Sequence, residues 1–536
     1  MKKLFIFVIT FILFVSGMAF AAQEDSIIRM TEDWPTYIDP AVGSSFSDCI
    51  AIVNLYDSLV FPNMDGTVSP HLAKSWDISD DGLVYTFHLR ENVSFHSGNE
   101  VTAKDVVFSA NRLLTIGEGF GYLFDPVIEN VKALDKYTVK FQLKRPFGPF
   151  ILSLVRLYVV EEDLLMEHIE KPGPYGDKGD YGKQWLLTHD AGSGPYKVKE
   201  VKMAEHVHGE RFDDWWDGWE ENAPQYFKLM GTVEPVTVRT LVSNQELEIT
   251  DELQPLENYQ IMDKMDGVDV ISYLNGGNLN IMLHTQKPPT DDVHFRKALA
   301  YLMDSETVCK SIFPGSVPAT SSIPKTLPGY ADVSPYEYNL EKAREELAKS
   351  KYADKLSQYP IDLSWCAEVP SEKKVALLFQ ANCSKLGIKV NVTKKPFGSM
   401  IADAQTKETT PNGSVVFVSP HYAEAGSMLV TRYHSSSCGT WEQCEWLEND
   451  EIDRMIDDAL ATIDMKKRFD KYAKIQKKIA DLSPTIWIMD RAETRAYQER
   501  YVEWSPAKLA KGDKNWVSIM GYEQYVHDMK VYPDKK

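Results

Sequence analysis

Residues 71–90 read HLAKSWDISDDGLVYTFHLR, and this stretch decides the fold of the segment around it. In its second half Tyr85, Phe87 and Leu89 lie on one side of an extended chain, and polar or basic residues lie on the other. A period of two is typical of a half-buried β-strand. The residues just before it, DDG at 80–82, favour a tight turn. We therefore expect a strand that leaves a hairpin.

The residues that follow predict a helix and a second strand. Residues 93–109 read VSFHSGNEVTAKDVVFS, in which Thr102 and Asp105 have the spacing of a capping box at a helix start. A second alternating run, with apolar residues at 137, 139, 141 and 143, ends at Pro146. Together these elements predict a strand-rich unit over about residues 61–190.

The second half of the chain has the pattern of an α/β domain. A strand at 361–365, a helix capped by Ser371 and stopped by Gly387, and a strand at 388–392 form one strand–helix–strand unit. The other elements predicted in this half are helices at about 450–461 and 465–481 and a last strand at 486–489.

The first 21 residues have the composition of a cleaved secretory signal. Lys2 and Lys3 precede an apolar stretch over residues 4–15, and the small residues at 19–21 favour cleavage before Ala22. The apolar stretch is shorter than the roughly 20 residues that span a bilayer. No cysteine follows the cut directly, so we expect a soluble periplasmic protein without a lipid anchor.

Length, charge and motifs limit the class of protein. A chain of 536 residues exceeds one hydrophobic core and implies roughly two to four domains. The net charge of −20 repels phosphate backbones, which argues against a nucleic-acid partner. There is no GxSxG elbow, HExxH pair, glycine-rich phosphate loop or EF-hand spacing. We therefore predict no enzyme activity, cofactor or metal site, with an extracellular hydrolase as the alternative from the enzyme class.

Six cysteines in an exported chain permit up to three disulfides, and the sequence does not fix their pairing. Cys438 and Cys444 are the best local pair, because only residues 439–443 separate them in a stretch rich in Ser, Gly and Trp. We predict a disulfide between these two. None of the six has the CxxC spacing of a metal or redox site.

Four segments resemble the family 5 extracellular solute-binding proteins, which serve ABC importers for peptides, nickel complexes and oligosaccharides. The longest covers residues 71–109, quoted above. The others are GSGPYK at 192–197, VHFRKAL at 293–299 with Asp304, and IWI at 486–488. They occur in the family's order and span nearly all of the mature chain, so the resemblance covers the whole protein.

The resemblance implies an α/β protein with the two-lobed periplasmic-binding-protein fold and an additional strand-rich domain inserted in the first lobe. The implied parts are a signal peptide at 1–21, a first lobe at 22–60, 191–280 and 487–536, the inserted domain at 61–190, and a second lobe at 281–486. The hinge between the lobes is expected near 278–283 and 487–491.

Proteins of this family capture a small molecule between their lobes and deliver it to a membrane permease. The resemblance therefore implies a monomer, a peptide or oligosaccharide ligand, and the permease subunits of an ABC importer in the inner membrane as partners. ATP hydrolysis would belong to a separate subunit. A periplasmic ligand sensor or chemoreceptor adaptor is the alternative that the sequence leaves open.

The expected ligand site is where this chain departs from the dipeptide-binding members of the family. Those members place an aspartate after the strand at 414–418 for the ligand's ammonium group, and here His421 stands at about that position. Their arginine for the ligand's carboxylate lies in the loop that here covers 367–372, which contains no base.

A buried charge without a partner costs about 3–5 kcal/mol, so we expect an oligosaccharide or a longer or modified peptide rather than a free dipeptide. A free dipeptide should bind weakly unless Glu424 or Glu368 substitutes as the partner of its ammonium group. The alternative, that these side chains only pack and the anchor lies elsewhere, stays open. The predicted ligand-binding residues are His421, Tyr422, Glu424, Phe397, Glu368 and Trp487.

Overall fold

The structure is a computed structural model that describes residues 26–231, 234–333, 336–511 and 516–536. The predicted signal peptide at 1–21 lies outside the described residues. The strands are β1 (Ile27–Glu32), β2 (Val60–Pro62), β3 (Val68–Pro70), β4 (Ala73–Ile78), β5 (Val84–Leu89), β6 (Ile128–Asp135), β7 (Thr138–Leu143), β8 (Tyr196–Lys202), β9 (His206–Arg211), β10 (Tyr226–Gly231), β11 (Asp269–Leu283), β12 (Val317–Pro318), β13 (Ile361–Cys366), β14 (Val390–Lys395), β15 (Gly413–Val418), β16 (Thr485–Tyr497), β17 (Val502–Glu503) and β18 (Lys530–Val531).

The strands alternate with α-helices and short 3-10 turns. The helices are α1 (Phe46–Leu55), α2 (Ala103–Ile116), α3 (Gly121–Phe124), α4 (Phe150–Ser153), α5 (Glu162–Glu167), α6 (Pro235–Ser243), α7 (Leu256–Met262), α8 (Val293–Tyr301), α9 (Ser305–Ser311), α10 (Leu340–Lys349), α11 (Pro370–Ser384), α12 (Phe397–Ala404), α13 (Ala425–Tyr433), α14 (Asp450–Leu460), α15 (Met465–Leu482) and α16 (Ser505–Lys511). Within the described residues, none of the helices has the length and apolar character needed to cross a membrane.

Three sheets organise the described part of the chain. A mixed four-stranded sheet has the order β1-β10-β9-β8, with β1 parallel to β10. An antiparallel four-stranded sheet has the order β4-β5-β7-β6. A six-stranded sheet has the order β12-β16-β11-β15-β13-β14. Two further pairs, β2–β3 and β17–β18, are two-stranded.

The stretch over residues 71–90 forms the predicted hairpin. β4 and β5 pair antiparallel, with Trp76 opposite Phe87. Tyr85, Phe87 and Leu89 are at most 1% exposed, because alternate side chains of a strand point to the same face. The helix predicted after the hairpin is α2. The amide of Thr102 donates to Oδ2 of Asp105 at 3.0 Å, which confirms that part of the predicted capping box.

The strand–helix–strand unit in the second half is confirmed as β13, α11 and β14. β13 and β14 are parallel, and Leu363 packs in one core with Phe379 of α11. The helix begins at Pro370 and has Val369 rather than Ser371 at its N-cap, since proline at the first helical position needs no N–H partner. The predicted last strand is longer than expected and runs as β16 to Tyr497.

Two long strands, β11 and β16, run side by side through the middle of the molecule. They are 15 and 13 residues long and pair antiparallel. Their register shifts between Leu274 and Asn278, which leaves residues 275–277 as an irregular segment. Gly276 has a φ of +77° there, a conformation that favours glycine. This irregular segment lies directly before the region, 278–283, where a hinge is expected.

The predicted disulfide between Cys438 and Cys444 is absent, and all six cysteines are free thiols. A 3-10 turn, Trp441–Gln443, separates the two residues, and Sγ of Cys444 donates to the carbonyl of Trp441 at 3.2 Å. Burial raises the pKa of the Cys444 thiol to about 12. The turn thus directs this protonated thiol toward its own backbone.

Candidate functional site

A cavity of about 530 Å³ opens beside β11 and β16, within the ~300–1,000 Å³ usual for small-molecule sites. Its first wall consists of residues within 252–263, around α7. Its second wall consists of the loop 311–315, residues within 369–374 at the start of α11, and Phe417. The floor is formed by Val270, Ser272, Arg491, Ala492 and Thr494 of the two long strands.

The topology explains why the second wall forms there. β13 and β15 are parallel neighbours, so their carboxyl ends meet at one edge of the sheet. Ligands of open α/β sheets bind outside this edge. Gly315, in the loop 311–315 that lines the cavity, has a φ of +94°. A Cβ atom at this residue would lie 2.3 Å from Oγ of Ser272. The positive φ, rather than the contact with the movable Ser272 hydroxyl, is what favours glycine at this position.

Arg491 is the main polar group of the cavity. Its Nη2 donates to Oε1 of Glu252 at 3.1 Å, and its guanidinium lies 4.6 Å from the ring centre of Phe417. Stacking on the ring holds the guanidinium in one plane. The side chain is 13% exposed and makes no other hydrogen bond within the described residues. Its remaining N–H groups can therefore bind a ligand.

Glu252 is shared between two arginines. Nη2 of Arg495 donates to its Oε2 at 2.9 Å, while Arg491 holds its Oε1. Burial alone would raise the pKa of Glu252, but the charges of Arg495 and Arg491 outweigh burial and hold this pKa below its ordinary value. The ionised carboxylate fixes Arg491 in place.

Glu372, in the first turn of α11, is a second buried carboxyl group, and its pKa is shifted in the opposite direction from that of Glu252. It is 1% exposed, and its Oε2 accepts a hydrogen bond from the backbone N–H of Cys366 at 2.7 Å. Burial raises its pKa to about 8, against the opposing effects of the Cys366 N–H and the charge of Arg491. Near neutral pH this carboxyl group is therefore protonated.

The walls of the cavity carry opposite charges. The first wall has the exposed carboxylates of Glu257 and Asp263. The second wall has the exposed ammonium group of Lys374, and the floor has Arg491. Among the described residues, Glu257, Asp263 and Lys374 form no ion pair. A ligand with one positive and one negative end would match this arrangement.

His421 lies outside this cavity, in a cluster of buried side chains. It is 8% exposed, its Nδ1 is hydrogen-bonded to the hydroxyl of Tyr122, and its Nε2 lies 3.3 Å from Oε1 of Glu442. Its backbone carbonyl accepts from Nε of Arg156 at 2.8 Å. His421 therefore links the loop after β15 to α3 and to the segment after α4.

Tyr422 and Glu424 are fully buried. Both oxygens of Glu424 accept from Arg468, at 2.8 and 2.7 Å, and Oε1 also accepts from the hydroxyl of Tyr472 at 2.6 Å. The ring of Tyr422 packs edge-on against Phe147, with ring centres 6.4 Å apart. The predicted role of Glu424 as a partner for a ligand's ammonium group conflicts with these contacts, because the protein already occupies both oxygens.

The structure brings Glu368 and Phe397 together. Oε2 of Glu368 accepts from the backbone N–H of Phe397 at 3.0 Å, and the ring of Phe397 meets Trp441 edge-on at 5.2 Å. Trp487 is separate from them, is 8% exposed, and donates from Nε1 to the hydroxyl of Tyr433 at 3.1 Å. None of the six predicted residues lines the cavity; the nearest in sequence is Glu368, next to Val369.

Sequence reasoning missed the residues that do line the cavity. Arg491, Phe417 and Glu252 lie far apart in the chain. The pairing of β11 with β15 and β16 brings Phe417 and Arg491 together, and Glu252 joins them through its hydrogen bond with Arg491. One signal was available, because Arg491 is a basic residue that closely follows the apolar strand at 486–489. Such a residue at an expected hinge is a candidate ligand contact.

Comparison with known proteins places these observations in context. Residues 67–437 match the profile of the bacterial extracellular solute-binding proteins, family 5, middle region. The chain is 26% identical over 495 residues to the probable D,D-dipeptide-binding periplasmic protein DdpA of Escherichia coli strain K12, covering 88% of this chain and 89% of that protein. It is 27% identical over 513 residues to the dipeptide-binding protein of the same strain, covering 88% and 90%.

Solved structures share the architecture. The periplasmic binding protein DppA from Helicobacter pylori, in complex with the peptide STSA, superimposes with a TM-score of 0.80 at 22% identity, covering 95% of this chain and 98% of that chain. A dipeptide-binding protein from Pseudoalteromonas sp. SM9913, in complex with Met-Leu, gives 0.79 at 20% identity, covering 94% and 100%. These similarities confirm the predicted two-lobed fold.

The contacts of Glu424 predict a structural role for this residue. Glu424→Leu leaves Arg468 buried without its partner, so we expect a loss of about 3–5 kcal/mol in the free energy of unfolding, measured by urea titration. The double variant Glu424→Leu/Arg468→Met removes both charges and should recover most of that loss. If the variant instead bound the ligand more weakly at unchanged stability, that result would support a ligand-binding role for Glu424.

Glu372 predicts a pH dependence. Between its ordinary pKa and the folded value of about 8, the unfolded chain loses the proton while the folded chain keeps it, so rising pH destabilises the fold. Glu372→Gln removes this effect. We expect its stability relative to the wild type to grow by up to about 1.4 kcal/mol per pH unit from pH ~5 to 8, as measured by urea titration.

Glu368→Gln is the matched control for this pH series. Glu368 is exposed, and although burial acts to raise its pKa, the hydrogen bond from Cys366 and its other contacts hold the pKa below the ordinary value. Its carboxylate is thus ionised in both states throughout the series. The difference from the wild type should stay flat, and an equally flat result for Glu372→Gln would contradict the assignment.

Proposed function

Because the chain belongs to the bacterial extracellular solute-binding proteins, family 5, we propose that it is the periplasmic solute-binding component of an ABC importer and captures a peptide-like ligand. The ligand occupies the cavity between residues 252–263 and the second wall. We place the two lobes, the inserted domain and the cleavage site before Ala22 as the sequence predicts. A membrane permease is the proposed partner.

The charge pattern of the cavity is the observation that carries this proposal. Glu257 and Asp263 on the first wall suit an ammonium group, whereas Lys374 and the free N–H groups of Arg491 suit a carboxylate. A peptide carries both groups, and a neutral oligosaccharide carries neither. The relatives described above are themselves named for dipeptides. An oligosaccharide ligand stays a prediction that the same binding assay tests.

The apolar part of the cavity suits the side chains of a peptide. Phe313 and Phe417 meet edge-on with ring centres 5.7 Å apart, and Leu253, Val270 and Val369 complete the surface. Burying such side chains contributes about 25 cal/mol per Å² of apolar area. Polar anchors then fix the orientation of the ligand, which is the usual division of roles in small-molecule sites.

Closure of the two lobes provides the mechanism of capture. The first wall and the second wall belong to different proposed lobes, so a ligand that contacts both binds the closed form more tightly than the open form. The closed form is stabilised by this difference in affinity. Capture needs no covalent step, and we infer that the protein is not an enzyme. A permease can then recognise the closed form.

Binding of peptides tests the proposed function. We expect simple peptides with free termini to raise the melting temperature of the monomer. At a ligand concentration one hundred times the dissociation constant, binding stabilises the folded protein by about 2.7 kcal/mol. Calorimetry on peptides and on neutral oligosaccharides then identifies the class. Oligosaccharide binding without peptide binding would overturn the peptide proposal, and deletion of the gene with a measurement of uptake separates transport from sensing.

Variants of the cavity test the site itself. Arg491→Ala and Phe417→Ala should each weaken peptide binding at least tenfold, on the order of 1.4 kcal/mol, because one removes the free N–H groups and the other removes the ring that orients them. Arg344→Ala, on an exposed face of α10 at 61% side-chain exposure, is the control and should leave affinity unchanged. Unchanged affinity in both cavity variants would show that the peptide binds outside this cavity.

A further inference from the structure

The negative and positive groups of the cavity beside β11 and β16 are held by the protein in different ways. The carboxylates of Glu257 and Asp263 belong to exposed side chains, and neither forms an ion pair within the described residues. The guanidinium group of Arg491 is 13% exposed, is hydrogen-bonded to Glu252 and lies 4.6 Å from the ring centre of Phe417. The negative side of the cavity is thus loosely held, and the positive side is fixed.

The nitrogens of Arg491 that have no partner in the protein are open to the cavity. Only Nη2 donates a hydrogen bond within the described residues, to Oε1 of Glu252 at 3.1 Å. The side chain lines the cavity, and its other nitrogens are accessible, in contrast to Nη1 of Arg156 and of Arg432, which are buried without a partner. A carboxylate can therefore reach donors that the protein has already oriented. Charge-assisted hydrogen bonds of this kind are roughly twice as strong as neutral ones.

The acidic groups near Arg491 do not cancel its charge toward a ligand. Both oxygens of Glu252 already accept from guanidinium groups. Glu372 is protonated near neutral pH, because burial raises its pKa to about 8. Lys374 and the N-terminal end of α11, whose residues 369–371 line the cavity, add positive charge on the same side. This side of the cavity therefore favours an anionic group.

Exposure to water decides which of the two charges contributes more to affinity. Ion pairs between exposed groups contribute little, because water and salt screen them and both side chains lose freedom when they pair. A guanidinium group that is already desolvated and stacked on a ring loses much less on binding. An ammonium group near Glu257 or Asp263 should thus add little affinity, whereas a carboxylate on Arg491 should provide most of the polar part.

The surface around the fixed guanidinium group is apolar. Phe417, on which Arg491 stacks, packs edge-on with Phe313, with ring centres 5.7 Å apart, and Ile312 and Val369 belong to the same wall. The carboxylate and the side chain of a peptide's last residue are joined to the same Cα atom, so that side chain must lie close to these rings. An aromatic or aliphatic last residue gains affinity there by burying apolar area, and a polar one does not.

We propose that this cavity selects its ligand by the carboxyl end: it binds peptides that end in an aromatic or aliphatic residue with a free carboxylate, and it accepts a blocked amino end. Arg491 binds the carboxylate, and the second wall binds the last side chain. This inference rests on the proposed function and narrows its substrate class. N-acylated peptides are then ligands, whereas peptides with a C-terminal amide bind weakly.

Three forms of the peptide Gly-Ala-Phe test this selectivity in calorimetry: the unmodified peptide, its N-acetyl form and its C-terminal amide. We expect acetylation to raise the dissociation constant by less than about threefold and amidation to raise it by at least about tenfold. Replacing the last residue by serine should weaken binding by about threefold or more. If the peptides bind but acetylation costs as much as amidation, the inference is overturned and the proposed function stands. If none of the forms binds in the millimolar range, both are overturned.

Arg491→Gln tests whether this residue binds the carboxylate. Glutamine keeps an N–H donor and removes the charge, so the ratio of dissociation constants between amide and acid should fall below about threefold. Arg344→Ala, the exposed control on α10, should keep the wild-type ratio. A melting scan checks that each variant is folded, and if Arg491→Gln is not, the three peptide forms on the wild type decide. A wild-type ratio in folded Arg491→Gln overturns the assignment of Arg491.

Discussion

The antiparallel pairing of β11 with β16 is the constraint on which the rest of the structure depends. These are the strands at which the expected lobes meet, and their pairing sets which residues can face each other across the junction. Alternation along each strand then divides its side chains between two environments. Ala492 and Thr494 line the large cavity, whereas Glu493 and Arg495 are fully buried on the other side. One strand thus supplies both the ligand surface and its support.

The support is electrostatic as well as apolar. Arg495 binds Glu32 of β1, Glu252 of the first wall and Glu493 of its own strand. Burial and the neighbouring Glu252 raise the pKa of Glu32 well above its ordinary value, while Glu252 stays ionised. A buried network of this kind adds little net stability, because desolvation offsets the attraction between the charges. Its effect here is geometric, since it fixes the carboxylate that holds Arg491.

Local patterns predicted the local structure. The alternation of Tyr85, Phe87 and Leu89 and the capping pair at Thr102 depend on neighbours only a few residues away, and the structure confirms them. The site depends on long-range contacts that no spacing encodes. Glu424 looked available for a ligand, but its partner Arg468 lies 44 residues further along the chain. The disulfide prediction was wrong for a related reason, since closeness in sequence says nothing about the direction in which a thiol points.

These comparisons suggest a physical criterion that separates structural charges from functional ones. A structural charge has its hydrogen-bonding capacity filled by the protein, as Arg468 and Tyr472 fill that of Glu424. A binding charge is held by the protein on one side and left with unused capacity on the other. Arg491 meets this description, with one N–H on Glu252 and one face on Phe417. Such a group is a candidate contact for a ligand, because the ligand can use the hydrogen-bonding capacity that the protein leaves open.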